Sequence, residues 1–421
     1  MGIFFNDLIN KSKHHIQQYL SSLHNSDLDY KQIIQLSTIM IFSLAGFGII
    51  TPILPLIQSW GGVSAAQIGL YVSSFALARL IANVPAGIFI DRYGGRLLMI
   101  ISIAIIMAGT IMSALAPTFM FLVISRIVFG IGSAFTMIAI QTELLLLAKS
   151  SQRATVISYN MMANRIGVSI FPFFGGALAV LYNWRAVFYF CALLNIIGLV
   201  IALMLYFRRQ GETALTTINK ADTAEKPFEY RPVISPLVLP TLYILSFTIF
   251  FHRFGLERTL IPLFGDSIGL DSLKLGLTLT LSSMISILAI LVGGHTADRY
   301  GRKLIIQIGL IVLLLASGLF FLVNNFASYL IVNIIFGLAA FTIALPMVIA
   351  ADFSPGSHLS RTVSRIHFFN DAGMLIGPFY LGWVMDFSSF HVSIGISMLA
   401  LMLSLILAKF CLPNKKVAEN N

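Results

Sequence analysis

Charged side chains are scarce in this chain: Asp, Glu, Lys and Arg make up 10% of its 421 residues, against 57% apolar. So few charges cannot clothe a water-soluble globule, and a mean hydropathy of +0.90 belongs to the membrane class. Cysteine is nearly absent. Cys191 and Cys411 lie far apart in separate apolar stretches, which excludes a disulfide framework and metal-ligand spacing and leaves them as packing residues. No His-Glu-x-x-His set and no Gly-rich phosphate loop with Lys is present, so an intramembrane metalloenzyme and an ATP-driven pump are excluded; the chain is read as no enzyme, with no metal and no cofactor. A cleavable signal is missing too, and the first membrane helix is expected to serve as the insertion signal. The net charge of +10 does not imply a nucleic-acid partner, because the Lys and Arg residues outside apolar runs lie in short loops and tails.

What the chain has in abundance is long apolar runs. Crossing a hydrocarbon core of roughly 30 Å takes about 20 residues, and twelve runs qualify: 33–57, 67–90, 97–115, 119–142, 154–181, 186–207, 236–264, 273–297, 304–323, 327–350, 362–385 and 391–411. They are continuous rather than alternating, which predicts an all-α polytopic membrane protein of twelve transmembrane helices and not a β-barrel. Placing the N-terminus in the cytoplasm puts nearly all loop Lys and Arg there, with only Arg185 and Lys274 outside. The positive-inside rule then puts both termini in the cytoplasm of a cell inner (plasma) membrane.

Residues 208–235 form the one long polar segment and read as a cytoplasmic linker between six-helix bundles at 33–207 and 236–411. Residues 412–421 are a cytoplasmic tail, and 1–32 a cytoplasmic segment that is either an interfacial amphipathic helix or a disordered tail. The bundles repeat each other. Gly87-Ile-Phe-Ile-Asp91-Arg92-Tyr93-Gly94 returns as Gly294-His-Thr-Ala-Asp298-Arg299-Tyr300-Gly301, an offset of 207 residues. The same offset aligns Phe47, Gly48 and Pro55 with Phe254, Gly255 and Pro262, Gly69 with Gly276, and Phe129-Gly130 with Phe336-Gly337. Later in each half it becomes 206, matching Gly167 and Pro172 to Gly373 and Pro378. Such a repeat predicts halves of like orientation, related by an axis along the membrane normal, with a solute site between them near the midplane.

The paired Gly-x-x-x-Asp-Arg-x-Gly loops closely resemble the signature loop of the major facilitator superfamily, over essentially the whole chain. Arg126-x-x-x-Gly130-x-Gly132 resembles the family's arginine-glycine motif. Gly167-x-x-x-Phe171-Pro172-x-x-Gly175-Gly176 resembles the motif of its drug:proton antiporter branch, with a partial second copy in Gly373-x-x-x-Gly377-Pro378. The chain departs from the pattern at Gly95, where an Arg is usual, and at Phe171, where the antiporter motif has Gly. The resemblance implies a cytoplasmic gate of Gly87, Asp91, Arg92, Gly94, Arg96, Glu143, Gly294, Asp298, Arg299, Gly301, Arg302 and Asp352 that holds the outward-facing state and breaks to open inward. Gly94 and Gly301 would take positive φ in tight turns, Gly87 and Gly294 would admit close helix contacts, and the bases would bridge to Glu143 and Asp352.

An ionisable group at membrane depth is costly enough to suggest function. Arg79, Arg165 and Asp371 lie about 15 to 18 Å into their helices at 1.5 Å per residue, near the midplane. Arg165 and Asp371 match in the repeat, as do Asn164 and Asn370, and are expected to face each other across the cavity. Arg126 lies nearer the outer face, and its family motif is associated with proton coupling. Arg253, Glu257 and Arg258 cluster on the seventh helix, where Arg253 and Glu257 share a face and either neutralise each other or serve the pathway. His295 and His367 lie near helix ends, where solvation suffices. The proposed pathway is therefore Arg79, Asn83, Arg126, Asn164, Arg165, Arg253, Glu257, Arg258, Asn370 and Asp371, with Asp371 and Glu257 as proton-coupling candidates. A secondary active transporter is expected, monomeric, with a small-molecule substrate, protons and the lipid bilayer as its partners. Resemblance favours proton-coupled export. The surplus of Arg over acid favours uptake or exchange of an organic anion, a carboxylate or phosphate ester.

Overall fold

A computed structural model describes residues 29–148, 153–210, 237–353 and 356–413. Among the described residues there are helices and no strands, arranged as twelve spans. We label them α1 (Tyr30–Gly61), α2 (Ala65–Tyr93), α3 (Gly95–Ala114), α4 (Phe119–Leu147), α5 (Arg153–Leu181), α6 (Trp184–Gln210), α7 (Val238–Ser267), α8 (Ser272–Tyr300), α9 (Arg302–Leu322), α10 (326–353), α11 (Gly356–Phe387) and α12 (Phe390–Cys411). Eleven are long and apolar enough to cross a membrane. The remaining one, α11, has the length, but Arg361, Arg365, His367 and Asp371 dilute its apolar run. The spans coincide with the expected runs, their ends shifted by less than two turns. The expected N-terminal interfacial segment and nearly all of the 208–235 linker lie outside the described residues.

Local chemistry sets the helix starts. The even-numbered helices open behind a side-chain cap: Ser64, Thr118, Asn183, Asp271, Asn325 and Ser389 each accept a backbone N–H of the first turn. By contrast α3 and α9 start directly after Gly94 and Gly301, whose φ values of 87° and 101° make the tight turns read from the motif. Three spans expected to be uniform are not. In α1, Pro52 and Pro55 lack an N–H, and Thr51–Ile53 tightens into a 3-10 turn. A 3-10 stretch, Ala339–Ile343, interrupts α10 just before Pro346. His252–Leu260 of α7 is π-helical, a rare widening that occurs most often at functional sites.

α1 to α6 pack on one another, α7 to α12 do likewise, and the two groups meet chiefly where α2 abuts α11 and α5 abuts α8. At the ends expected to face outward, both seams bring backbone against backbone through glycine. A Cβ on Gly69 would strike the Pro378 carbonyl, and one on Gly276 the Pro172 carbonyl. One turn on, a Cβ on Gly382 would lie 2.5 Å from the Ala65 carbonyl oxygen, and one on Gly176 would strike that of Ser272. The second set of contacts is the repeat image of the first. Hydroxyls join them: Ser73 Oγ donates to the Leu375 carbonyl at 2.5 Å, and the Phe173 N–H donates to Thr280 Oγ1 at 3.0 Å.

At the opposite end the expectation of close helix contacts at Gly87 and Gly294 is not met. An added Cβ at either would meet nothing within 4 Å, and Asp91, Arg92 and Arg299 are exposed. The reason is conformational: the halves close on the outer face, so in the expected orientation the arrangement is inward-facing, and glycines that would serve the opposite closure stand clear.

Enlarging an outer glycine should therefore shift the conformational balance. Gly276→Leu and Gly69→Leu each overpack a backbone contact, at a cost of about 1–3 kcal/mol to the outer-closed state. Thiol labelling of a cysteine placed at Thr51 should rise from the outer side in both variants and stay unchanged in Gly294→Ala. Unchanged labelling in all three would show that the glycine seams do not hold the outer face shut.

Candidate substrate pathway

The wide turn of α7 gathers charge. In a π-helix positions four and five residues on both lie close to the first, so Glu257 and Arg258 flank Arg253; Thr259 Oγ1 donates back to the Phe254 carbonyl, five residues earlier, at 2.8 Å. Arg253 Nη1 donates to Glu257 Oε2 at 2.8 Å, with the Arg253 side chain 8% exposed. Its Nε and Nη2 are buried without a partner. Arg165 of α5, from the other half, has Arg253, Arg258 and Glu257 as electrostatic neighbours. The Arg258 guanidinium lies 5.3 Å from the Phe47 ring and 5.9 Å from the Phe254 ring. Those two rings are repeat partners and meet across the halves at 5.9 Å. Thr51, Pro172, Ser282 and Ser283 complete a cleft around Glu257 and Arg258. Three guanidiniums thus surround one carboxylate where the halves meet.

Asp371 belongs to a different cluster. Its electrostatic neighbours are Arg79 and His367, not Arg165, so the expected pair across the cavity is not formed. The cause is the symmetry itself: α5 lies in the seam with α8 and α11 in the seam with α2, so equivalent positions occupy opposite seams. Arg79 Nη2 approaches Met137 Sδ at 3.3 Å, and its guanidinium lies 5.6 Å from Phe75. His367 is exposed and lies one turn before Asp371, and Asn83 lies one turn after Arg79. Asn370 is buried and Asn164 half-buried beside their charged neighbours in sequence.

Arg126 is 3% exposed and boxed by aromatics. Its guanidinium lies 4.8 Å from Phe75, 4.9 Å from Phe129, 5.7 Å from Tyr71 and 5.8 Å from Phe47, and Nη1 donates to the Gly46 carbonyl at 3.2 Å. Cation–π attraction and a carbonyl replace the usual acid. Phe47 therefore touches both Arg126 and Arg258. Between the halves Phe75, Ala76, Phe129 and Met374 form an apolar cluster with Phe47, Phe250 and Phe254 packed on it.

At the end expected to face the cytoplasm Arg96, and not Arg92, meets Glu143, with Nε donating to Oε2 at 2.9 Å. Gly95 permits this: a Cβ there would lie 2.9 Å from Glu143 Oε1. Arg96 Nη1 also donates to the Leu205 carbonyl at 2.6 Å, and its repeat partner Lys303 donates to the Leu412 carbonyl at 2.6 Å. Arg302 Nη1 donates to the Val348 carbonyl at 3.2 Å. The side chains of Asp298 and Asp352 lie outside the described set. The motif glycines pack helices within a half: Gly130 against Phe75 and Ala78, Gly132 against Ser102 and Ile106, Gly167 against Ile41, and Gly373 and Gly377 against α7.

Three features escaped the sequence reading. The π-turn contains Gly255, but no residue pattern in it distinguishes it from an ordinary α-helical turn. The aromatic box of Arg126 draws rings from α1, α2 and α4. Asp386, which joins α11 to the start of α2, stands just beyond the expected end of its apolar run.

The sequence profile of the Major Facilitator Superfamily matches residues 36–276 and 242–421. Multidrug resistance protein 2 of Bacillus subtilis is 24% identical over 84% of this chain and 88% of its own length. The hexuronate transporter of the same organism is 25% identical over 79% and 82%. Among solved structures, a bacterial homologue of the human lysosomal transporter Spinster aligns with a TM-score of 0.73 at 16% identity, covering 91% of this chain and 96% of that one. With its paired loop motifs, its twelve helical spans and a profile match over most of its length, the chain belongs to the Major Facilitator Superfamily.

Proposed function

We propose that the chain is a secondary transporter that moves an amphipathic organic anion by alternating access. The observation that carries this is Arg253, whose Nε and Nη2 are buried without partners beside Arg165 and Arg258, with Glu257 the one carboxylate among them. Guanidinium presents paired N–H donors that match a carboxylate or phosphate, and a buried donor left unmade costs free energy that such a ligand recovers. Phe47, Phe250 and Phe254 offer the same ligand an apolar wall. Likeness to a hexuronate transporter is consistent with a carboxylate substrate. The two bundles at 33–207 and 236–411 would rock about this site, with both termini in the cytoplasm of the plasma membrane and the protein acting as a monomer.

Uptake of organic acids and of cationic dyes into proteoliposomes of the full chain tests this directly. Organic acids should be moved and should compete with one another. Arg253→Gln and Arg165→Gln should each raise KM about 10- to 100-fold, the range for hydrogen bonds to a charged group, with little change for any neutral solute. Transport of cationic dyes alone, untouched by either substitution, would sink the anion reading.

A second reading, proton-coupled export of the drug-antiporter type, is favoured by likeness to Multidrug resistance protein 2 and by Asp371 at membrane depth beside Arg79 and His367. In it Asp371 carries the proton, exposed alternately to the two sides. Asp371→Asn should then abolish accumulation driven by a pH gradient while solute exchange at equal pH continues. Full pH-driven accumulation by that variant would remove Asp371 from the coupling path.

A further inference from the structure

The outer seam between α2 and α11 contains a charged contact that its repeat partner lacks. The opening N–H groups of an α-helix have no partners within the helix. In α2 each one is accounted for. Ser64 N–H donates to Gln67 Oε1 at 2.9 Å and Gln67 N–H to Ser64 Oγ at 3.3 Å. The two that Ser64 cannot reach go to the other half of the molecule: Ala65 N–H donates to Asp386 Oδ1 at 2.8 Å and Ala66 N–H to Asp386 Oδ2 at 2.9 Å. Gly382, one turn earlier on α11, makes the approach possible, since any side chain there would meet the Ala65 carbonyl.

We propose that Asp386 is the outer latch of the transport cycle, a carboxylate of the C-terminal half that caps α2 of the N-terminal half only while the outer face is closed. Both hydrogen bonds are charge-assisted and lie at the positive end of a helix dipole, and any outward opening that parts α2 from α11 breaks both together. Among the described residues the other seam has no such device. Val180 stands at the position of α5 equivalent to Asp386, and α8 is capped by its own Asp271, whose Oδ1 accepts from Lys274 N–H at 2.8 Å. Asp386 therefore weights the balance toward the inward-facing state from one side of the pseudo-axis, independently of which solute is carried.

The test is a distance measurement on the full chain in lipid nanodiscs without solute. Cys191 and Cys411 are replaced by Ser, spin labels are placed at Val63 and Ser388, and the outer separation is read by double electron–electron resonance. Asp386→Asn should move the population toward the long outer distance by about tenfold or more. Asp386→Glu should restore part of the short distance. Ala65→Pro provides an independent variant: it removes the N–H without disturbing the helix, because Ser64 already has the extended ψ of 167° that precedes proline. It should give a shift like that of Asp386→Asn, and the double variant little more than either alone. An unchanged distribution in both single variants, or fully additive shifts, would overturn the latch.

Discussion

Close approach of backbones at glycine is the constraint on which the rest of this structure depends. In a bilayer, lipid tails are as apolar as leucine, so helices gain little by hiding apolar side chains from one another, and dispersion contact and hydrogen bonds must hold them. Here both seams between the halves rest on bare Cα atoms against carbonyls: Gly69 on Pro378 and Gly382 on Ala65 in one, Gly276 on Pro172 and Gly176 on Ser272 in the other. Such contacts tolerate no added methyl, but they carry little directional bonding. They close tightly and can also part, which is what a pair of rocking halves requires. The contacts within each half are reinforced differently. Arg96 ties α3 to Glu143 of α4, to the α6 carbonyl of Leu205 and to Gln32 of α1, and nothing in a rigid-body movement needs to break it.

Much of this was legible in the sequence because it is one-dimensional. Span lengths follow from hydropathy, and the repeat follows from residue identity at a fixed offset. The positive φ of Gly94 and Gly301 follows from turns too tight for a side chain. What was not legible depends on where helices stand relative to one another. Arg165 and Asp371 match in the alignment of the halves, which invited the inference that they face each other. A two-fold axis instead carries each to the other's place on the far seam, so equivalence argues for separation. The π-turn was invisible for another reason: a helix widens where its side chains find better company, as Arg253, Glu257 and His252 do, and no single residue type announces it. His252 bonds Ser397 of α12 at 2.8 Å through Nδ1, a partner that no local pattern predicts.

The buried arginines divide into two kinds. Arg126 donates Nη1 to a carbonyl and lies among four ring faces, with Nε left buried and unpartnered, so its charge serves the packing of α1, α2 and α4 at least as well as any ligand. Arg253 spends one nitrogen on Glu257 and keeps two unpartnered at the boundary between the halves. Counting guanidiniums at membrane depth cannot separate the two; only the geometry of their remaining donors does.

The scaffold is symmetric and the field within it is not. One position in the repeat holds Arg165 on α5 and Asp371 on α11, so the rotation that superimposes the halves exchanges a positive charge for a negative one. Where α5 meets α8, beside the charges of the α7 π-turn, cations predominate, while the seam of α2 with α11 mixes Arg79, His367 and Asp371. In the proposed function this makes the position of the solute inseparable from the position of the halves. An anion held by Arg253 and Arg258 belongs to the C-terminal half, Arg165 belongs to the N-terminal half, and rotation about the axis changes the distance between them. The ligand thus has a different binding free energy in each state, which is the condition for its occupancy to bias the conformational equilibrium at all.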